Sequence, residues 1–251
     1  MDGRSITQTR RLVLCCAVFA LALLVPFTAW AQQISIDLGD DGTLAARSIQ
    51  LLVLITLLSL VPGLAVMITC FPFIVTVFAI LRQALGLQQS PPNMLIVSLA
   101  LFLTYFVMEP VFLSAWEGGI MPLSAGDVPL EEGIALTLDP FRVFMAARIA
   151  PDTYAALAAL RPGEVPVLDG QAPLSLLIPS FLLSEITRAF EIGFLIFLPF
   201  LVIDLVVAAV LMSMGMMMVP PAIVSLPFKL AFFVVADGWT RIAGALVRGY
   251  F

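Results

Sequence analysis

Few residues in this chain are able to do chemistry. No histidine is present, and Lys229 is the lone lysine. That removes His-based catalytic triads, HExxH zinc sites and histidine proton relays together. No phosphate-binding P-loop motif occurs either. Cys15 and Cys16 lie close to the start, and Cys70 stands by itself in an apolar run, where it reads as a packing residue. Such spacing provides neither a disulfide framework nor a metal cluster. The expectation is a protein without cofactor or metal that is not an enzyme.

The charges in apolar surroundings are the next candidates. Glu185, Arg188 and Glu191 are spaced i, i+3 and i+6, so neighbours share a helix face. They read either as a self-satisfied helix start or as an inter-subunit contact. Asp204 and Lys229 flank a methionine-rich stretch. A hairpin turning between Met216 and Met217 would bring the two charges to one depth. A turn at Pro220-Pro221 would offset them by about 10 Å along the helices and require partners in a neighbouring subunit. Lys229 and Asp237, at i and i+8, share a stripe through Phe233 and offer a third pairing. Asp204 and Asp237 could be imagined as an aspartyl pair, but "VIDLV" and "VADGW" lack a supporting constellation.

The stretch "LMSMGMMMVPPA" contains Met212, Met214, Met216, Met217 and Met218, with Gly215 among them and Pro220-Pro221 after them. Methionine is unbranched and fills irregular gaps, so helix packing is one reading. Contiguous methionines point all around a helix instead of along one stripe, and a break follows at once. That pattern suits a loop. Irregular backbone at membrane depth is tolerated only where protein buries it or where it lines a cavity. A ring of such loops would form a deformable apolar constriction, which gates by excluding water.

The elements that must position these residues are membrane-grade. The 251 residues are 61% hydrophobic and 12% charged, whereas soluble domains carry about 25% charge. Arg4, Arg10 and Arg11, an apolar core from Leu12 to Val25 and "AWA" at 29–31 predict a cleavable signal peptide over residues 1–31, cut between Ala31 and Gln32. Residues 32–47 read as a short exported segment. From Ser48 to Leu81 no residue is charged. A straight helix of that length would extend about 51 Å, against a hydrocarbon core of about 30 Å. Pro62-Gly63 and Pro72 are therefore expected to break or kink it. Residues 48–113 form a first helical hairpin in this reading. Residues 114–180 form an exported insert with helical patches at 140–149 and 153–160. Its acids, among them Glu117, Glu131, Glu132 and Asp139, outnumber Arg142, Arg148 and Arg161. Residues 181–251 form a second hairpin, broken at Pro199 and at Pro220-Pro221, with the methionine loop at its turn. Counting spans from an exported start puts Arg82 inside, as the positive-inside rule prefers, but Arg241 and Arg248 outside. Broken helices with an Asp/Lys site at mid-depth also fit a polytopic small-solute or ion transporter, although no internal repeat supports it.

The segments "SEITRAFEIGF", "PFLVIDLVV", "MGMMMVPP" and "LPFKL…DGW", within Pro179–Trp239, resemble the flagellar FliP export-gate family and its injectisome relatives. The likeness extends more loosely over "LTLLSLVPGLAVMITCFPF" and "QSPPNMLIVSLALFLTYFVMEPV", and the acidic insert matches least. The resemblance implies an all-α membrane-associated fold of kinked and broken helical hairpins, assembled into a ring of five copies with the partners FliQ and FliR. It implies the export-gate neighbours FlhB and FlhA, unfolded export substrates and membrane lipid as further contacts, with no role for nucleic acid. The implied location is the bacterial inner membrane at the flagellar basal body, with a periplasmic portion. The implied gasket role falls on Met216, Met217 and Met218, with Met212 and Met214 as helpers. The signal peptide and the sizeable insert favour the flagellar branch.

Overall fold

The structure is a computed structural model that describes residues 44–251, apart from 88–89, 163–165 and 217. The expected signal peptide, its cleavage point at Ala31-Gln32, most of the exported segment and Met217 lie outside the described residues. All the described regular structure is helical. Apolar sequence without charges satisfies its backbone most simply within one helix, and that is the form the long runs take.

Helix α1 spans Leu44–Met67. It continues through Pro62 and Gly63, so the break expected there is not found. Proline removes one ladder hydrogen bond, and the turns on either side keep theirs. The chain instead turns at Ile68–Cys70. There the Thr69 hydroxyl donates to the Val66 carbonyl at 2.7 Å and accepts from the Phe71 amide at 3.3 Å. Helix α2, Phe71–Ala84, then starts with Pro72 in its first turn, where no amide donor is needed. Gly86 ends it with φ 77°. The Gly86 amide bonds the Gln83 carbonyl at 3.0 Å and the Leu87 amide bonds the Arg82 carbonyl at 3.3 Å. This pair of bonds is a Schellman motif, which glycine permits because it lacks a Cβ.

Helix α3, Asn93–Ala115, returns antiparallel to α2, with Arg82 bonded to Asn93 at one end and the Cys70 thiol facing the Thr104 carbonyl at the other. A π-turn at Trp116–Ile120 and helix α4, Met121–Ala125, extend it. The insert then forms α5, Leu130–Arg148, and α6, Pro151–Ala158. Helix α7 runs from Leu174 to Ser213, 40 residues, and passes through both Pro179 and Pro199 without ending. The expected break at Pro199 is therefore also absent, for the reason that applies at Pro62. Helix α7 starts inside the expected insert. Helix α8, Pro221–Val235, and α9, Gly238–Arg248, meet at a bend of 61° where Asp237 takes a left-handed φ of 51°.

Among the described residues, three helical stretches are long and apolar enough to cross a membrane: Ser48–Met67, Asn93–Ala125 and Leu174–Ser213. The bent α8–α9 pair is a fourth if it counts as one span. Helix α9 turns Leu246 inward, with Ile242, Ala243 and Val247 against the same core, while Arg241 and Arg248 stay exposed. Its outward face is therefore polar, unlike that of α1.

Helix α2 lies at the centre of the main core, with Phe73, Ile74, Val77, Phe78 and Leu81 all buried. Cys70 is fully buried just before α2 and packs as an apolar side chain. Close approach is also built in elsewhere. A Cβ on Gly119 would lie 2.5 Å from the backbone nitrogen of Thr137, whereas one on Gly118 would meet nothing within 4 Å. Gly119→Ala is thus expected to destabilise the detergent-solubilised protein by roughly 1–3 kcal/mol, with Gly118→Ala close to neutral. Thermal unfolding of the two variants side by side checks this.

Candidate functional site

One ion pair ties three helices together. Lys229 Nζ on α8 lies 2.6 Å from Asp204 Oδ2 on α7 and donates to the Ala84 carbonyl at 3.1 Å. That carbonyl is in the last turn of α2, where four acceptors lack helical partners and the helix dipole is negative. The Ser225 hydroxyl donates to the other carboxylate oxygen, Oδ1, at 2.5 Å. Of the three arrangements open to the sequence, the structure has Asp204 and Lys229 paired within one chain. Asp237 lies elsewhere, at the bend, where its carboxylate accepts from the Thr240 hydroxyl at 3.0 Å. Neither a Lys229–Asp237 pair nor an aspartyl pair is formed.

Glu185 keeps Arg188, the partner its helix spacing offered, and gains nearer ones. It is fully buried and lies 3.2 Å from Arg148 Nε of α5, whereas Arg188 approaches only to 3.9 Å and is partly exposed. The Tyr250 hydroxyl donates to the other Glu185 oxygen. The Arg148 guanidinium stacks 4.0 Å from the centre of the Tyr250 ring and donates to the Gly249 carbonyl at 2.6 Å. Glu191 is exposed and makes no ion pair among the described residues. A helix wheel of residues 185–191 does not predict this cluster, because Arg148 is 37 positions and Tyr250 65 positions from Glu185.

The methionines sit at the tip of the α7–α8 hairpin. Helix α7 ends at Ser213, earlier than Pro220. Gly215, with φ 74°, ends it through a second Schellman motif. The Gly215 amide bonds the Met212 carbonyl at 3.1 Å and the Met216 amide bonds the Leu211 carbonyl at 2.9 Å. Pro220 caps α8 and Pro221 is its first residue. The turn therefore closes on its own backbone and requires no polar side chain. Met212 lies on the last turn of α7, Met214 is its cap, and Met216 and Met218 lie in the loop. All four are exposed, and Met218 is 98% exposed. Behind them a cavity of about 710 Å³ separates α7 from α8, lined by apolar side chains including Val206, Val210, Met214, Met216, Val219 and Phe228. Neither Asp204 nor Lys229 lines it.

Ser225 and the Ala84 carbonyl are the site groups that sequence reading missed. Ser225 stands four residues before Lys229 on α8, so the i, i+4 rule carried a signal for it. Nothing in the order of residues marked Ala84. Replacing Asp204 or Lys229 alone by an apolar residue strands its partner, at a cost of roughly 3–5 kcal/mol for a fully buried pair. Asp204, at 36% side-chain exposure, moves the expected loss toward the lower end. The double variant Asp204→Leu/Lys229→Met is expected to be less destabilised than either single one. Ser225→Ala is expected to cost roughly 1–3 kcal/mol. Thermal melts of the four proteins check these orders.

A sequence model of the FliP family matches residues 54–246. The chain is 46% identical over 250 residues to the flagellar biosynthetic protein FliP of Caulobacter vibrioides, covering 99% of this chain and 94% of that one. It is 44% identical to the protein of the same name from Agrobacterium fabrum, covering 92% of this chain and 96% of the relative. With the Bacillus subtilis protein the identity is 39%, over 87% of this chain and 99% of the relative. The methionine loop, the Asp204–Lys229 pair, Glu185 and Arg148 fall inside the matched segment, whereas Tyr250 lies just beyond it, and the chain belongs to the FliP family.

Proposed function

We propose that this chain is a structural subunit of the flagellar protein-export gate, and that it forms the channel through which unfolded export substrates leave the cytoplasm. The observation that carries the reading is the apolar, methionine-bearing tip of the α7–α8 hairpin. It holds its own backbone bonds, has no charge between Leu211 and Pro221, and leaves Met218 almost wholly uncovered. Exposed apolar side chains of this kind need a cover. Copies of the same loop, arranged around an axis, cover one another and leave a constriction that water does not enter. Methionine's flexible thioether lets such a ring close on itself when idle and on an extended chain in transit.

The subunit works as one of a ring, with five copies as the reading, alongside FliQ and FliR and next to FlhB and FlhA in the inner membrane. Residues 1–31 act as a cleaved signal, and the acidic insert faces the periplasm. The subunit does no catalysis; its task is to hold a closable pore. The transporter alternative needs charged groups free to meet a solute. Asp204 and Lys229 spend their bonds on each other, on Ser225 and on the Ala84 carbonyl instead.

Two measurements test the reading. Met216→Ala/Met217→Ala/Met218→Ala is expected to leave the complex assembled while raising small-ion conductance of the inner membrane. Normal conductance together with normal export would show that the loop is not the seal. The native mass of the detergent-extracted complex, co-expressed with FliQ and FliR, is expected to show a discrete assembly of about five copies plus the smaller subunits. A stable monomer would remove the ring.

A further inference from the structure

Two apolar cores meet at one polar seam. The main core is built on α2 and includes Phe73, Phe78 and Met108. The second belongs to the insert and the start of α7, with Met145, Tyr154, Leu177 and Phe181. Phe144 packs against both. The seam between them holds Arg148, Glu185 and Tyr250. The Tyr250 ring stacks on Phe144 at 6.1 Å and meets Phe73 edge-on at 5.6 Å. Burial, and then the Glu185 charge, push the Tyr250 phenol above its usual range, which keeps it a hydrogen-bond donor.

Helix α7 passes through this seam, and its ladder is weakened on the insert side of it. Pro179 has no amide to give the Ser175 carbonyl. Arg161 Nη2 takes that acceptor instead, at 2.9 Å, while its Nη1 donates to the Ser175 hydroxyl at 3.1 Å. The Ser180 and Ser184 hydroxyls donate back to the Leu176 and Ser180 carbonyls at 2.7 and 2.8 Å. A missing ladder bond and hydroxyls competing for carbonyls are the recognised causes of helix bending. The Ser184 hydroxyl also accepts the Ala150 amide at 3.0 Å, which is a direct bond from the insert to α7. Gly249 and Phe251, on either side of Tyr250, are exposed.

We propose that residues 249–250 are a releasable strap and that Pro179–Ser184 is the hinge it locks. With Tyr250 seated on Glu185 and under Arg148, the insert is held at one angle to the main core. With Tyr250 withdrawn, α6 and the start of α7 shift against the C-terminal end of α5 at Arg148–Ala150, while Thr137 against Gly119 and Phe141 against Phe112 keep the rest of α5 on the main core. The inference concerns the insert and stands whether or not the methionine loop is the seal.

The Ala150 amide reports the seam directly. Hydrogen exchange of the full chain in its purified assembly, wild type against Tyr250→Phe, is the experiment. The substitution keeps the ring contacts and removes the hydroxyl alone. Ala150 is expected to exchange about tenfold faster, the factor one hydrogen bond to a charged group carries, with the amides of α8 unchanged. An unchanged Ala150 rate would overturn the strap, and so would equal acceleration in α8, which would make Tyr250 a general stabiliser. Pro179→Ala restores the ladder amide and is expected to slow Ala150 exchange; no slowing would overturn the hinge.

Discussion

A charged group among apolar helices must have a partner, because an isolated ion in such surroundings costs several kcal/mol. In this chain that constraint acts at the two ends of α2. At its C-terminal end Lys229 takes the Ala84 carbonyl and the Asp204 carboxylate together, which fixes α8 against α7 and both against α2. Near its N-terminal end the buried Glu185 carboxylate gathers Arg148 and Tyr250, which fixes the insert and residues 249–250 onto the same bundle. Dispersion and apolar burial are non-directional. The charges select one register among the many that apolar packing would accept.

Three helix ends in this bundle are set by backbone alone. Gly86, Gly126 and Gly215 each take a left-handed conformation after a helix. At each, the glycine's own amide and that of the next residue bond back to carbonyls of the last turn. This matters most at Gly215. Because the turn is satisfied internally, the loop needs no polar side chain at its tip. The ion pair below the tip holds the two helix stems, so the loop has a rigid base and a soft end.

The prolines show where local rules stop. Pro62, Pro179 and Pro199 all lie inside helices that continue past them. A proline breaks a helix when the flanking turns have an alternative, and within a long apolar run they have none, since the bonds on either side must stay made. What a proline leaves behind is an unsatisfied carbonyl, and at Pro179 the structure supplies Arg161 for it. Pro72 and Pro221 lie in first turns, where proline belongs.

Membrane character, helical class and the methionine turn were legible in the sequence, because each rests on local composition and period. The likeness of Pro179–Trp239 to the FliP family was legible too, since dense motifs survive without any geometry. Asp204 and Lys229 were visible as a candidate pair from their spacing around the turn. Tertiary structure alone decided that they pair within one chain, and that Ser225 and Ala84 complete the site. It alone added Arg148 and Tyr250 to Glu185, beside the helical neighbour Arg188. The physical reason is common to these cases. Period and propensity act over a few residues, whereas a buried charge takes whichever donor the packed helices bring within about 3 Å, however far away in the chain that donor lies.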